Sequence, residues 1–275
     1  MPVGEPGRNL RAALCLLLAA AMLTGGGVAA AQAAVAPLPT GSQVSYQLGG
    51  AYPPEVGVGI VIRDRTEIPA TGRYNICYVN AFQTQPGQLR WWKQKHPKLL
   101  LRKKGVLVVD GQWNEVVLDI STGPKRRALT RVVGRWITGC ARAGFAAVEF
   151  DNLDSYYRSR GQLNRADSLA MARLLVKRAH AVSLAAGQKN ASELGHRGRT
   201  IAKFDFAIAE ECERYRECDA YTSVYGDRVI EIEYTDYSRS VFDRACAARG
   251  SRISVVLRDR LLRPAGSPGH WAQAC

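Results

Sequence analysis

The stretch AAVEFDNLDSYYRS, from Ala146 to Ser159, joins a short apolar run to a group of carboxylates. A short apolar run of this kind is typical of a buried strand in a parallel sheet. Glu149, Asp151 and Asp154 then place three acidic side chains within six residues. Because side chains alternate along a strand, Glu149 and Asp151 should share one face, with Glu149 one layer deeper. The stretch therefore predicts a buried strand whose carboxyl end carries chemistry.

Seven further short apolar runs lie on either side of this stretch, and helix-like segments separate several of them. The runs begin at Ser45, Arg73, Glu115, Ala185, Phe204, Val229 and Ile253. The helix-like segments span residues 88–102, 125–143, 164–184 and 238–249, and Asn164 is suited to cap the third. Eight strands that alternate with helices indicate parallel strands joined by crossover connections. A (β/α)8 barrel takes about 250 residues, so we predict an α/β fold, a single (β/α)8 TIM barrel over residues 44–275.

An open, doubly wound sheet is the main alternative for such a pattern. That fold usually carries a glycine-rich phosphate loop, G-x-G-x-x-G, after its first strand. Here the first run ends in Leu48-Gly49-Gly50, which does not match that motif. The sequence therefore favours the barrel.

The N-terminal residues have the pattern of a secretory signal peptide. Arg8 and Arg11 form a basic region, and the apolar segment at residues 12–23 is too short to span a bilayer. An A-x-A cleavage motif ends at Ala33. We therefore predict a signal peptide at residues 1–33, a linker at residues 34–43 and a secreted protein without a membrane segment after cleavage.

Export changes what is expected of the cysteines. Removing Cys15 with the signal peptide leaves six, an even number that favours disulfides in an exported chain. Six cysteines allow 15 pairings, so the sequence does not choose among them. We predict a Cys212–Cys218 disulfide because these two cysteines are close enough in sequence to close a small loop. A Cys246–Cys275 disulfide would tie down the C-terminus, and Cys77–Cys140 is the pair that then remains.

The composition argues against several classes of function. The net charge is +14, and it falls to +13 without Arg8, Arg11 and Glu5 of the predicted signal peptide. The basic residues are spread along the chain and do not interleave with aromatics as in proteins that grip single strands, so no nucleic-acid partner is predicted. The four histidines are scattered and no C-x-x-C pair exists, so we predict no metal site and no cofactor.

In a barrel of this class the chemistry lies at the carboxyl ends of the strands. Acidic residues at the strand ends could also serve the helices that begin there, because helix N-termini favour negative charge. That explanation does not account for Lys189, a cation at the same rim. Several acids without a metal signature suit sugar hydrolysis, which needs one carboxylic acid and one carboxylate from different strands. The candidate substrate-binding residues are Asn80, Asp119, Asn152, Asp154, Lys189, Asn190, Glu233 and Tyr234.

Four motifs, in this order, resemble those of glycoside hydrolase family 114. They are VEFDNLDSY from Val148, GQKN from Gly187, FDFAIAEEC from Phe204 with ECD from Glu217, and IEYTD from Ile232. The similarity runs from about residue 74 to the C-terminus. It implies a barrel enzyme similar to the endo-α-1,4-polygalactosaminidases, which cut α-linked galactosamine polymers. The family's catalytic pair corresponds to Asp151 and Glu210.

The chain departs from the family pattern at two positions beside that pair. Phe150 stands where the family has proline, and Ala209 stands where it has asparagine. These changes concern substrate contacts more than the acid pair. They leave the identity of the polymer substrate undecided, but not the type of reaction.

The surroundings of the two carboxylates suggest separate roles for them. Asp151 is expected to be the nucleophile, kept ionised by Lys189 on the next strand. Glu210 is expected to be the general acid, with its pKa raised by burial. A carboxyl separation of about 5–5.5 Å indicates retention of the anomeric configuration and about 6.5–9.5 Å indicates inversion; we expect retention.

Two functions from different classes stay open at this point. The first is a secreted, monomeric glycosidase that cleaves internal α-1,4-linked galactosamine-type bonds of a polysaccharide. The second is a secreted barrel that binds carbohydrate or cell-wall polymer without cleaving it. A de-acetylated galactosamine polymer is cationic, so a strongly basic protein would repel it at long range. Either an acidic cleft dominates locally, or the substrate is acetylated, neutral or anionic.

Overall fold

The computed structural model describes residues 34–275, together with Met1 and Gly4. Most of the predicted signal peptide, its cleavage motif and Cys15 lie outside the described residues. The proposed boundaries of leader and linker therefore stay predictions. Just before the first strand, Leu38 is buried, and the Tyr74 hydroxyl donates a hydrogen bond of 2.8 Å to the carbonyl of Ala36.

Strands and helices alternate along most of the described chain. The strands are β1 (Gln43–Gln47), β2 (Val58–Asp64), β3 (Tyr74–Asn80), β4 (Arg102–Lys103), β5 (Val106–Leu107), β6 (Val109–Asp110), β7 (Glu115–Val116), β8 (Ala147–Asp151), β9 (Ala185–Lys189), β10 (Phe206–Glu210), β11 (Val229–Tyr234), β12 (Ser254–Arg258) and β13 (Ala272–Ala274). The α-helices are α1 (Leu89–Lys95), α2 (Gly123–Ala143), α3 (Ser155–Arg158), α4 (Arg165–His180), α5 (Cys212–Tyr215), α6 (Cys218–Tyr225) and α7 (Arg239–Arg249). Short 3-10 helices lie at Pro97–Leu99 and Ser192–Leu194, and a π-helix lies at Gly198–Ala202.

Eight parallel strands form the main sheet, in the order β1-β2-β3-β8-β9-β10-β11-β12. Strand β13 adds a ninth, antiparallel strand beside β12. The sheet curls until β12 approaches the start of β1, where Ser254 Oγ donates a hydrogen bond of 2.6 Å to the carbonyl of Ser42. The architecture is therefore a nearly closed α/β barrel. The described residues from 34 onward belong to one compact unit.

The predicted set of barrel strands is wrong in two places. Residues 58–64 form β2, which was not among the predicted strands. The run predicted as the third strand contributes only β7, which pairs with β6 in a hairpin outside the main sheet. Both runs are apolar because both are buried: Ile60 lies inside the barrel, and Val117 and Leu118, within the insertion between β3 and α2, lie in the core outside it. Hydrophobicity alone does not separate the two environments.

Three predicted helices are confirmed as α2, α4 and α7. Asn164 caps α4 as expected, in a capping box with Asp167. The first predicted helix ends early, at Lys95, because Pro97 cannot donate the backbone hydrogen bond that would continue it. The described chain has no helix between β1 and β3, so the barrel lacks the regular helix after every strand.

Alternate side chains of the parallel strands fill the inside of the barrel. One inner layer is apolar, and it includes Ile62, Ala147, Phe206 and Ile230. Gly187 lies among these residues, where an added Cβ would be 2.6 Å from the Phe206 ring, so only glycine fits. Towards the carboxyl ends of the strands the inward positions become polar.

The six described cysteines form three disulfides. Their pairs are Cys77–Cys140, Cys212–Cys218 and Cys246–Cys275, and all three predicted pairs are confirmed. The first joins β3 to α2, and the last holds the C-terminal residue against α7. Among the described helices, none combines the length and the apolar character needed to cross a membrane.

Candidate active site

Lys189, at the end of β9, lies at the centre of the rim. Its Nζ is 3.1 Å from Glu149 Oε1, 3.3 Å from Glu210 Oε2 and 3.9 Å from Asp151 Oδ2. It also donates a hydrogen bond of 2.8 Å to the Tyr46 hydroxyl. Burial lowers the pKa of Lys189, but the surrounding carboxylates dominate and hold it well above its ordinary value. One buried cation therefore joins three carboxylates from the strands on either side of it.

Asp151 ends β8 and is held from two sides. The Tyr78 hydroxyl donates a hydrogen bond of 2.8 Å to Oδ2, and the backbone N–H of Asn152 donates one of 2.7 Å to Oδ1. Tyr78 comes from β3, whose register places Asn80 opposite Asp151. The Asp151 side chain keeps 19% of its surface exposed. It is thus oriented by its neighbours and still reachable from solvent.

Glu210 ends β10, two strands away from Asp151. Asn190 Nδ2 donates a hydrogen bond of 2.9 Å to Oε2, and the Tyr234 hydroxyl donates one to Oε1. Burial raises the pKa of Glu210, but the ammonium of Lys189 and these hydrogen bonds more than offset it, so the pKa lies below its ordinary value. The expectation of a raised pKa is wrong because burial was considered without the cation.

The Lys189 ammonium also limits the distance between the two catalytic candidates. Asp151 Oδ2 and Glu210 Oε2 lie at most 7.2 Å apart, the sum of 3.9 Å and 3.3 Å. A pair of carboxylates at this range can flank a single glycosidic bond.

Glu149 lies one layer below Asp151, as the alternation of the strand predicts. It is fully buried, and Oε1 accepts a hydrogen bond of 2.9 Å from the Tyr46 hydroxyl. Oε2 has no hydrogen-bond partner among the described residues. Burial raises the pKa of Glu149 to about 7 although Lys189 lowers it. Glu149 therefore changes charge near neutral pH, in contact with the central ammonium.

Three successive barrel strands end in a left-handed backbone turn. Asn152 has φ 64°, Asn190 has φ 49° and Glu211 has φ 59°. Side chains other than glycine rarely adopt such angles, which cost of order 1–3 kcal/mol each and cluster at functional sites. The strained turns follow the three strands that carry Asp151, Lys189 and Glu210.

The rim borders a cavity of about 530 Å³, within the usual range of about 300–1,000 Å³ for ligand sites. Three cationic residues line it: Arg158, Lys189 and Arg260. Seven acidic residues line it: Asp64, Asp110, Glu115, Asp151, Asp154, Glu210 and Glu211. The cavity is therefore acidic, although the whole chain carries +14.

Most of the predicted substrate-binding residues come together in this cavity. Asn152, Asp154, Lys189, Asn190 and Tyr234 line it. Asn80 lies behind the lining, where its Nδ2 donates a hydrogen bond of 2.8 Å to Glu115 Oε2. Six of the eight candidates are thus in the cavity wall or support it.

Asp119 and Glu233 are not brought into the cavity. Asp119 accepts hydrogen bonds from Ser121 and Lys125 at the start of α2, because the strand on which it was expected lies outside the barrel. Glu233 lies on the outward face of β11 and accepts a hydrogen bond of 2.9 Å from the backbone N–H of Glu213. Strand alternation turns Tyr234 inwards and its neighbour outwards.

A comparison of sequences covers nearly the whole chain. The sequence model of glycoside-hydrolase family GH114 matches residues 26–275. The chain belongs to family GH114. It is therefore a glycosidase, which decides between the two functions left open by the sequence. No curated protein matches this GH114 chain in sequence.

Solved structures share the fold of this GH114 chain. The crystal structure of Ega3 from Aspergillus fumigatus, in complex with galactosamine, has a TM-score of 0.70 and 22% identity, and the match covers 88% of this chain and 100% of that one. The glycoside hydrolase domain of PelA from Pseudomonas aeruginosa has a TM-score of 0.58 and 15% identity, over 82% and 98% of the two chains. At these identities the likeness concerns the fold.

Several residues of this GH114 site were not among the sequence candidates. Tyr46 and Tyr78 support the carboxylates, and period-two alternation at strand ends could have identified both. Trp113, Glu115 and Arg260 reach the cavity from loops and a hairpin, which no periodicity marks. The guanidinium of Arg260 lies 3.9 Å from the ring centroid of Tyr234 and so covers one wall of the site.

Proposed function

We propose that this GH114 protein is an exported, endo-acting hydrolase of α-1,4-linked galactosamine polymers, with Asp151 as nucleophile and Glu210 as general acid. The observation that carries the proposal is the pair of carboxylates from separate strands, both within 4 Å of one buried ammonium, in the wall of an acidic cavity. Sugar hydrolysis requires such a pair. The galactosamine bound to Ega3, which has the same fold, supports the choice of sugar.

In this mechanism Asp151 attacks the anomeric carbon while Glu210 donates a proton to the departing glycosidic oxygen. Tyr78 and the backbone N–H of Asn152 hold the attacking carboxylate in one orientation. The bond from the anomeric carbon to the leaving oxygen breaks, and a glycosyl ester with Asp151 forms. Glu210, now ionised, then removes a proton from water, which attacks the same carbon and releases Asp151.

Glu210 must carry a proton when cleavage begins. Because Lys189 and the hydrogen bonds lower its pKa, the protonated form is a minority at neutral pH. We therefore expect kcat/KM to rise as the pH is lowered from about 8 to about 5, measured by the release of reducing ends. A kcat/KM that stays constant or increases with pH over this range contradicts Glu210 as the acid.

The acidic cavity supports a cationic, de-acetylated polymer as substrate. Seven acidic lining residues face three basic ones, so an ammonium group at C2 is attracted once it enters. The positive charges elsewhere on the surface are screened over about 8 Å at physiological salt. N-acetylation removes the charge of the sugar, so we expect the de-acetylated polymer to be the better substrate.

Two substitutions test the catalytic pair. Asp151→Asn and Glu210→Gln keep the shape and should each lower kcat by about 10²–10⁴-fold while the folded structure persists. Asp243→Asn, at a carboxylate that is 59% exposed on α7, is the matched control and should leave kcat unchanged. Reducing ends that appear at the wild-type rate from Asp151→Asn would refute the assignment.

Product analysis tests the finer parts of the proposal. Early products of mixed length, read by mass, indicate endo cleavage, whereas release of single sugars alone contradicts it. We propose retention because one ammonium draws both carboxylates together, and nuclear magnetic resonance of the first product should show the α anomer. Export is supported by the leader pattern and by three disulfides. Recovery of a chain beginning near residue 34 from the medium tests it.

A further inference from the structure

The hairpin of β6 and β7, residues 109–116, lines the cavity but has no role in the proposed chemistry. Four of its residues belong to the lining: Asp110, Gln112, Trp113 and Glu115. The hairpin lies in the insertion between β3 and α2, outside the parallel sheet. It is therefore a separate wall of the cavity that the barrel strands do not build.

Glu115 is a nearly buried carboxylate that lines the cavity without a cation of its own. The residue is 7% exposed, and its Oε2 accepts a hydrogen bond of 2.8 Å from Asn80. Arg158 is the nearby cation, but its salt bridges go to Asp110 at 2.9 Å and to Asp154 at 2.6 Å. Arg158 acts on Glu115 only through its charge at longer range, and among residues 34–275 no salt bridge joins Glu115 to a cation.

Asp110 lies directly opposite Glu115 in the hairpin. Like charges at opposed positions of two antiparallel strands destabilise the pair. Burial raises the pKa of Glu115 to about 7, and the charges of Asp151 and Asp110 add to the rise. Arg158 offsets this rise only in part, so a cation supplied by a ligand would further favour the ionised form of Glu115.

Trp113 lies between these two carboxylates in the chain and also lines the cavity. It is 51% exposed, which is unusual for the largest apolar side chain. An indole ring packs well against a flat apolar surface and attracts cations to its face. A sugar ring that carries an ammonium group offers both features.

We propose that this hairpin forms a sugar subsite, in which Trp113 packs against the ring of one galactosamine unit and Glu115 accepts a hydrogen bond from its ammonium. The inference rests on the proposed function, because the ligand is the same polymer. It goes beyond that function by making Glu115 a specificity-determining residue that distinguishes amino sugars from N-acetylated ones. The hairpin acts on binding and takes no part in bond cleavage.

The experiment measures binding in the Asp151→Asn background, which slows hydrolysis. Glu115→Gln keeps an amide oxygen to which Asn80 can donate, so its fold should persist. Calorimetric titration with an α-1,4-galactosamine oligosaccharide should give about a tenfold higher Kd for Glu115→Gln. With the N-acetylated counterpart, the Kd should change by less than about twofold, because that sugar has no ammonium to lose.

Two tryptophan variants complete the test. Trp113→Ala should raise the Kd of both oligosaccharides, since packing against the sugar ring does not depend on the charge of the sugar. Trp271→Ala is the matched control: its residue is 47% exposed and is not part of the cavity lining, so Kd should not change. Thermal unfolding midpoints confirm that each variant is folded.

The inference is overturned if Glu115→Gln leaves both Kd values unchanged or raises them equally. It is also overturned if Trp113→Ala binds as tightly as the Trp271→Ala control. Reducing ends measured in the same samples report whether Asp151→Asn still cleaves the polymer. Failure of the catalytic assignment is thereby recorded separately from failure of the subsite.

Discussion

Lys189→Met removes the cation that Glu149, Asp151 and Glu210 share and leaves an apolar side chain of similar length. The lysine side chain is 2% exposed, and its ammonium lies within 4 Å of all three carboxylates. Because the lysine also anchors the Tyr46 hydroxyl, its loss disturbs the whole inner layer beneath the cavity. The substitution should therefore reduce stability as well as activity.

The size of the stability loss follows from how deeply Lys189 and each of its three carboxylate partners are buried. Removing one member of a buried ion pair costs about 3–5 kcal/mol, because the other charge stays behind without compensation. Two features place this case at the lower end. Glu149 already has a pKa of about 7 and can take up a proton, while Asp151 and Glu210 keep 19% and 25% of their side chains exposed to water. We expect the free energy of unfolding to fall by about 3 kcal/mol at about pH 7.5.

The loss of unfolding free energy in Lys189→Met should depend on pH, and the direction of that dependence can be derived. Without the ammonium, the folded-state pKa of Glu149, already raised to about 7, rises further, and the pKa of Glu210 rises above that of the unfolded chain. A carboxyl group of this kind binds its proton more tightly when folded, so it lowers stability as the pH rises from the unfolded pKa through the folded one. The deficit of Lys189→Met should therefore be smaller at about pH 5 than at about pH 7.5.

Urea unfolding, followed by tryptophan fluorescence at both pH values, measures the deficit. Lys177→Met, at an exposed position of α4, is the matched control and should lie within about 0.5 kcal/mol of the wild type. A different outcome would contradict this prediction: a fall of less than about 1 kcal/mol in the unfolding free energy of Lys189→Met at the higher pH, or an equal fall at both pH values.

Three further predictions concern the scaffold. Replacing Cys77 and Cys140 together by alanine opens a loop with a sequence separation of 63 and should cost about 4 kcal/mol of unfolding free energy in urea. Asn164→Ala removes the cap of α4 and should lower that free energy by about 1 kcal/mol, measured in the same way. Burial raises the pKa of Glu233 from 4.5 to about 8, so its contribution to stability falls as the pH rises between those values. Glu233→Gln still accepts from the Glu213 N–H and should flatten that dependence in thermal unfolding.

Each of these has an outcome that contradicts it. An unchanged urea midpoint after loss of the first disulfide would mean that the unfolded chain gains no freedom. For the helix cap, Ser238→Ala at the start of α7 is a comparable N-cap substitution. If Ser238→Ala lowers the unfolding free energy and Asn164→Ala does not, the capping box of α4 contributes nothing to stability. For Glu233→Gln, a pH dependence as steep as that of the wild type would show that another group is responsible.

Much of the site could be predicted because strand alternation is a local property. Glu149 and Asp151 are two residues apart, so any strand through them turns both the same way, and the structure places one beneath the other. The same rule separates Tyr234, which faces the cavity, from Glu233, which does not. Glu233 was predicted at the rim from its place at a strand end, a prediction that did not take alternation into account.

The pKa of Glu210 could not be predicted from its position alone. Its sign depends on the distance to an ammonium 21 residues away in the chain and on two further donors from other segments. Burial and charge act in opposite directions here, and only the distances decide which effect is larger.

The sequence by itself determined the alternation of strands and helices, the cap of α4 at Asn164 and the strand tips that carry Asp151 and Glu210. These follow from spacing along the chain, which is a local matter. Tertiary structure alone decided that residues 58–64 join the barrel while the run from Glu115 does not, since both are equally apolar. It also decided that Trp113 and Glu115 line the cavity, because the path of an insertion is set by what it packs against and not by its own periodicity.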